Sequence, residues 1–373
     1  MNLMLNFILP FLILILVVVF IHEYGHYYFA KKYGVKVTDF SIGFGKEIFG
    51  WNDSSGTRWK ICWIPLGGYV KFFGDRNVFS QADQEELIKK YDEKERQKLF
   101  ILKPLYQRVI ILIAGPLANF LLAILIFFMI NIFVGKDFTP PTISEVTKES
   151  PAYIAGLKKN DVIISIDKNE VKSITDVSKF ITMSTSDFID IKVSRYDEEI
   201  LIKVKPQISK GVDNLGNKVK KKRTIGIKIV PYQNTINHQK LGPVKAIYYS
   251  VSEVYFVTIS TFKYLGSIIE GSGDSSQLGG PIRIAKISGQ VAEFGILPFL
   301  SMVAYISISL GLINLFPIPL LDGGHLMFCC FEKILGKPLS KKTQEFFFRI
   351  GLFLILSLMS FAMWNDLRDL GLF

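Results

Sequence analysis

Residues 7–26 read FILPFLILILVVVFIHEYGH, an uncharged apolar run through Ile21 that passes without a break into two histidines and a glutamate. A helix needs roughly 20 apolar residues to cross a bilayer, so this stretch predicts a spanning helix with ionisable groups on its last turns. Such groups are costly inside a membrane and usually mark function. His22 and His26 stand four residues apart, which puts them on one helical face. Two imidazole nitrogens so placed can hold one Zn²⁺, and Glu23 beside them can take the proton of a water that the metal has made acidic. The run lacks a basic leading segment and a small-residue cleavage site, so we read it as a retained helix rather than a signal peptide.

The rest of the chain is consistent with this reading. Of its 373 residues, 49% are hydrophobic and 21% charged, and the mean hydropathy is +0.31. These values exclude a disordered or fibrous chain. Three further apolar stretches, 109–134, 296–321 and 346–364, are long enough to span, and the first span itself is read as 3–30. The expected fold class is therefore a polytopic α-helical membrane protein with four transmembrane helices. The net charge of +11 suits basic loops at a membrane better than a nucleic-acid partner. Lys31, Lys32 and Lys36 follow the first span, while residues 1–21 carry no Lys or Arg. The positive-inside rule then puts segment 31–108 in the cytoplasm, and puts both termini and segment 135–290 outside. The three cysteines, Cys62, Cys329 and Cys330, fall in or beside the reducing side and are read as free thiols rather than ligands.

Between the spans the patterns are shorter. In 58–63 (RWKICW) polar and apolar residues partly alternate after an Asn-Asp-Ser-Ser-Gly turn at 52–56, which predicts a β-hairpin within 40–73. Segment 80–104 is charged and reads as a surface helix with a polar linker. After Pro140-Pro141, the β-rich runs 142–146, 162–166, 189–194, 200–205 and 224–230, with a helix at 175–183, describe a small α+β module at 140–231. The basic run 218–223 near its end reads as a solvated loop. In 243–269, Lys245, Glu253, Ser260 and Ser267 form a polar stripe, so we expect an interfacial amphipathic helix in contact with membrane lipid rather than a fifth span. Residues 271–280 read as a flexible link.

Two histidines leave a metal in need of a third protein ligand. The stretch 314–325, NLFPIPLLDGGH, supplies candidates at the end of the third span. Pro317 and Pro319 interrupt helical hydrogen bonding and Gly323-Gly324 permit a tight turn. Asp322 is then free to aim an oxygen at the metal, and His325 is a competing ligand. Asn314 reads either as an interhelical hydrogen-bonding group or as a contact to substrate or its oxyanion. Gly115-Pro116-Leu117-Ala118-Asn119 reads as a small-residue packing face.

The order HEYGH, PLGGYVKF, GPLANF, a small external domain, GPIRIAKISGQ and NLFPIPLLDGGH resembles the site-2 protease family of intramembrane zinc metalloproteases, most closely its bacterial regulator-of-sigma-E branch. The resemblance implies Zn²⁺ held by His22, His26 and Asp322, Glu23 as the catalytic base, His325 behind the ligands and Asn314 near bound substrate. It implies that 41–72 is a membrane-reentrant β-loop whose edge strand, represented by Trp59, Ile61 and Trp63, clamps an unwound substrate helix. Such pairing satisfies the freed peptide groups where little water is present. The external module resembles a single PDZ domain through Ser150-Pro151-Ala152 and 156–163, with Asn160 where glycine is usual; it binds a peptide end or filters substrates by size. The implied partners are single-span membrane proteins, an anti-sigma factor already shortened outside, and signal-peptide remnants, in the inner membrane. The rival reading is a non-catalytic membrane receptor that binds peptide ends and needs neither metal nor Glu23.

Overall fold

The computed structural model describes residues 4–75, 84–184, 186–212, 218–232, 235–271 and 273–371. The chain divides into two compact units, Met1–Ile126 with Gly279–Arg368, and Phe127–Leu278 with Asp369–Leu372.

The first unit opens with helix α1, Leu9–Lys32, which follows a π-turn at Met4–Ile8. Pro10 sits in its first turn, where a missing N–H costs nothing, and Lys31 and Lys32 face its negative end. Strands β1 (Val37–Asn52) and β2 (Arg58–Phe72) come next. They are too long and too bent for one hairpin. Residues 37–42 pair with 68–72 on one side and with 58–61 on the other, while 47–52 fold back onto 58–62. The result is four short strand segments in the order 47–52, 58–62, 37–42, 68–72. Gly43 and Gly45, both at φ +87°, carry the bend between the halves of β1.

The charged segment that follows is not one surface helix. It is broken into α2 (Gln84–Lys90), α3 (Glu93–Arg96) and a 3-10 turn at Phe100–Leu102, because the Asp92 side chain caps a new helix start by accepting from the Glu95 N–H. Residues 80–83 of the expected helix, like Leu3 at the head of the first span, lie outside the described residues. Helix α4, Leu105–Met129, enters from here.

The second unit contains β3 (Lys136–Asp137), β4 (Pro141–Val146), helix α5 (Pro151–Ile154), β5 (Val162–Ile166), β6 (Asn169–Glu170), helix α6 (Ile174–Met183), β7 (Ile189–Arg195), β8 (Glu198–Val204), β9 (Gln207–Val212), β10 (Lys218–Thr224) and β11 (Ile227–Pro231). Six of these strands form one sheet in the order β11–β4–β5–β7–β8 with β6 on β5. Ile189, Ile191 and Val193 of β7 alternate into a core with Ile143, Ile163, Ile166, Val177 and Val204. Burying each such side chain is worth about 2 kcal/mol. The basic run 218–223 is not a loop; it is most of β10, paired with β9. Charge alone does not fix the backbone, and a strand accommodates such a run as well as a loop does. Asn160 takes φ +72°, a conformation asparagine tolerates better than other side chains.

Strand β12 (His238–Gln239) pairs with β3, and helix α7 runs unbroken from Pro243 to Ile269. Its stripe is only partly solvated: Glu253 pairs with Lys179 of α6 at 2.6 Å. The expected flexible link holds a 3-10 turn, Ser275–Gln277, capped by Asp274, whose carbonyl accepts from Tyr264 O–H at 2.8 Å.

The chain then returns to the first unit with α8 (Pro281–Glu293), α9 (Ile296–Asn314), α10 (Asp322–Leu335) and α11 (Lys341–Asp369). The third apolar helix ends at Asn314, not at residue 321. Phe316-Pro317-Ile318-Pro319 cannot continue the helical ladder, and Asp322 starts a new helix. Arg108, buried at the start of α4, pairs with Glu332 of α10. Among the described residues four helices are long and apolar enough to cross a membrane: Asn6–Lys32, Leu105–Val134, Ile296–Asn314 and Lys341–Asp369.

Candidate metal centre

Two elements of the first unit converge on one point. His22 and His26 project from α1, and Asp322 opens α10. His22 Nε2 lies 3.1 Å and His26 Nε2 3.3 Å from Asp322 Oδ2, and the two imidazole nitrogens are 3.3 Å apart. Among the described residues this is the group whose donors could hold a metal ion. The geometry puts Asp322, and not His325, against the two imidazoles. His325 is one turn further along α10, outside the group, with its ring against Phe348 and Phe328 at 5.8 and 6.3 Å.

Asp322 is aimed by the loop before it. Leu320 adopts φ +90°, a strained conformation for a bulky residue. Residues 315–319 lie across the first turn of α10 so closely that a Cβ on Gly323 would stand 2.2 Å from the Phe316 carbonyl oxygen, and one on Gly324 2.4 Å from that of Ile318. Only glycine fits at both positions.

The donor set fits a divalent cation. Among the described residues Asp322 Oδ2 is buried without a hydrogen-bond partner, although two ring nitrogens face it. A carboxylate oxygen and two imidazole nitrogens so close together need positive charge among them. For His26 the ring orientation is secured from behind. Its Nδ1 lies 2.8 Å from the Ile111 carbonyl oxygen of α4, so Nδ1–H donates there and the Nε2 lone pair is left for a metal. Helix α4 comes this close because Gly115 has no side chain. A Cβ there would lie 2.2 Å from His26 Nε2, and one on Gly25 would lie 2.4 Å from the Ala114 carbonyl oxygen.

Glu23 is buried beside this group. The Val70 backbone N–H is a hydrogen-bonding neighbour of its carboxylate, and a Cβ on Gly68 would touch Glu23 Cγ at 3.0 Å. The strand segment at the centre is therefore 68–72. Among the described residues no strand pairs with its outer side. Asn314 is also brought in, with Nδ2 3.2 Å from His22 Nε2.

The structure puts Trp59 and Ile61 elsewhere than at a free edge. Trp59 and Ile61 sit in segment 58–62, which is paired on both sides, so their backbone is already in use. Trp59 stacks on Phe40 at 4.1 Å and donates its indole N–H to Asp53 at 3.1 Å. Trp63 is 68% exposed. Alternation reveals a strand but not its neighbours, so the pattern at 58–63 could not say which strand is the edge. The neighbours that sequence reasoning missed are the Ile111 carbonyl and Asn119, whose amide faces His22 Nδ1 at 3.2 Å. A polar Asn119 in an otherwise apolar span was the available signal.

Comparison with known proteins gives a consistent result. The pattern of peptidase family M50 matches residues 10–358. A protein of Agrobacterium fabrum named "Putative zinc metalloprotease" is 40% identical over 365 residues, covering 98% of this chain and 96% of its own. Metalloprotease MmpA of Caulobacter vibrioides is 34% identical over 374 residues, with 95% and 93% covered. Among solved structures, the PDZ domain of an SdrC-like protein from Listeria monocytogenes covers 25% of this chain and 90% of its own, at 23% identity and a TM-score of 0.20.

Proposed function

The chain belongs to peptidase family M50 and is a multi-pass zinc metalloprotease of the site-2 type, and from that premise we propose that it cuts peptide bonds within the transmembrane segments of single-span membrane proteins. His22, His26 and Asp322 hold the zinc ion, and Glu23 is the general base. The observation that carries the assignment is the meeting of both Nε2 atoms with an otherwise unpartnered, buried Asp322 oxygen.

Bound there, zinc supplies a Lewis acid that lowers the pKa of water towards about 7 and polarises a carbonyl. Glu23 takes the proton of the attacking water and returns it to the leaving nitrogen. Asn314 offers amide N–H donors towards the carbonyl oxygen under attack. The outer edge of 68–72, beside Glu23, receives the substrate as an added strand. A helical substrate hides its peptide groups in internal hydrogen bonds, so it must unwind before it is cut, and strand pairing satisfies the groups set free. This edge takes the place of the one expected at Trp59 and Ile61.

The external module at 140–231 is proposed to be PDZ-like and to face the periplasm with both termini, in an inner membrane oriented by Lys31, Lys32 and Lys36. The proposed targets are an anti-sigma factor already shortened outside and signal-peptide remnants. The test compares wild type with Glu23→Gln on a tagged model span. The variant should keep stoichiometric zinc and lose cleavage by at least ~10²-fold. Undiminished cleavage would overturn the role of Glu23, and zinc-free wild-type protein would overturn the ligand set.

A further inference from the structure

We infer that Asn119 is a positioning residue for the metal centre: its side-chain carbonyl accepts the Nδ1 proton of His22 and so holds the ring with its Nε2 lone pair towards Asp322. This rests on the assignment of His22 as a zinc ligand.

His22 Nε2 is the nitrogen that meets Asp322 and His26. A neutral imidazole whose Nε2 lone pair is used must carry its proton on Nδ1, and in a buried place that proton needs an acceptor. For His26 the Ile111 carbonyl serves. For His22 the group facing Nδ1 is the Asn119 amide, on the same helix α4, two turns further on. The amide nitrogen lies 3.2 Å from Nδ1, while Asn119 Oδ1 is buried with no partner among the described residues. A half-turn about the Cβ–Cγ bond exchanges the two amide atoms at almost no change in shape. The required Nδ1 proton selects the orientation with oxygen towards the ring, which gives Oδ1 a donor. The side chain is well held for this task. Asn119 is fully buried, its backbone carbonyl accepts from Ser307 Oγ of α9 at 2.9 Å, and a Cβ on Gly311 would come within 3.3 Å of Asn119 Cβ. The GPLAN stretch thus does more than pack: Gly115 admits His26, and Asn119 orients His22.

The test is zinc affinity of the purified full-length protein in detergent, by competition with a chelator of known strength, for wild type, Asn119→Leu and Asn119→Asp. Circular dichroism checks that each variant is folded. Leucine keeps the bulk and removes the acceptor, so zinc binding should weaken about 10- to 100-fold. Aspartate keeps the acceptor and should bind zinc at least as tightly as wild type. Wild-type affinity in Asn119→Leu would leave Asn119 with packing alone and overturn the inference, while the ligand set stands. Loss of zinc from folded Asn119→Asp would overturn it too, because a carboxylate cannot replace an amide that donates N–H. If Asn119→Leu does not fold, Asn119→Asp decides. Wild-type protein without zinc would instead sink the ligand assignment beneath it.

Discussion

Asp53 links the turn of the β-segment to the helix that carries the histidines. Its carboxylate accepts from Tyr27 O–H at 2.8 Å, Trp59 Nε1–H at 3.1 Å, the Ser55 hydroxyl at 2.7 Å and the Thr57 backbone N–H at 2.9 Å. Partial burial pushes this carboxyl up, but the Ser55, Thr57, Trp59 and Tyr27 donors outweigh it and hold it well below its ordinary value of 3.8. A depressed carboxyl stabilises the fold fully above its unfolded pKa and loses that contribution as pH falls towards the folded one. This contribution should therefore begin to fade below pH ~4, and wild-type tryptophan fluorescence should shift only at lower pH, where the folded-state carboxyl takes up its proton and Trp59 loses its partner. Asp53→Ala should show the acid-like spectrum already at pH 7, without that transition. It should also destabilise the protein by about 1 kcal/mol, since water can replace part of what is lost. An unchanged titration in the variant would mean that Asp53 does not hold the turn.

At the scale of elements, the decisive feature is how closely α1 and α4 cross. Gly25 meets Ala114 and Ala118 with no side chain larger than a methyl group between them, and Gly115 leaves room for the His26 ring, which lets van der Waals contact and the Ile111 carbonyl act on His26. Gly115→Ala should push His26 away from Asp322, and isothermal titration should record zinc affinity reduced at least tenfold. Retention of full affinity would show that the crossing has room to spare. The small residues of this span were legible in the sequence, but their partner was not, because a packing motif does not name the helix it packs against. The break at Asn314 is a similar case. Pro317 and Pro319 announce a disruption, yet only the observed turn at Leu320 shows that Asp322 begins a separate helix.

Across the whole molecule, all three proposed metal donors belong to the first unit and none to the sheet unit. Chelation should therefore speed amide hydrogen exchange in α1 near His26 and in α10 near Asp322, and leave the core amides of β7 unaffected. Zinc at a thousandfold excess over its Kd should restore about 4 kcal/mol of stability. Equal acceleration in β7 would mean that the two units share one cooperative transition rather than opening separately.

The sequence by itself determined that four apolar segments exist, that His22 and His26 share a helical face and that Glu23 stands beside them, because helical spacing and span length are local properties of a chain. It also narrowed the third ligand to Asp322 or His325. Tertiary structure put Asp322 rather than His325 against the two imidazoles, put 68–72 with its free edge beside Glu23 while pairing 58–61 on both sides, and put Ile111 and Asn119 behind the histidine rings. Each of these is a contact between residues far apart in the chain. Such contacts depend on how helices cross and strands order themselves, and no local periodicity encodes that.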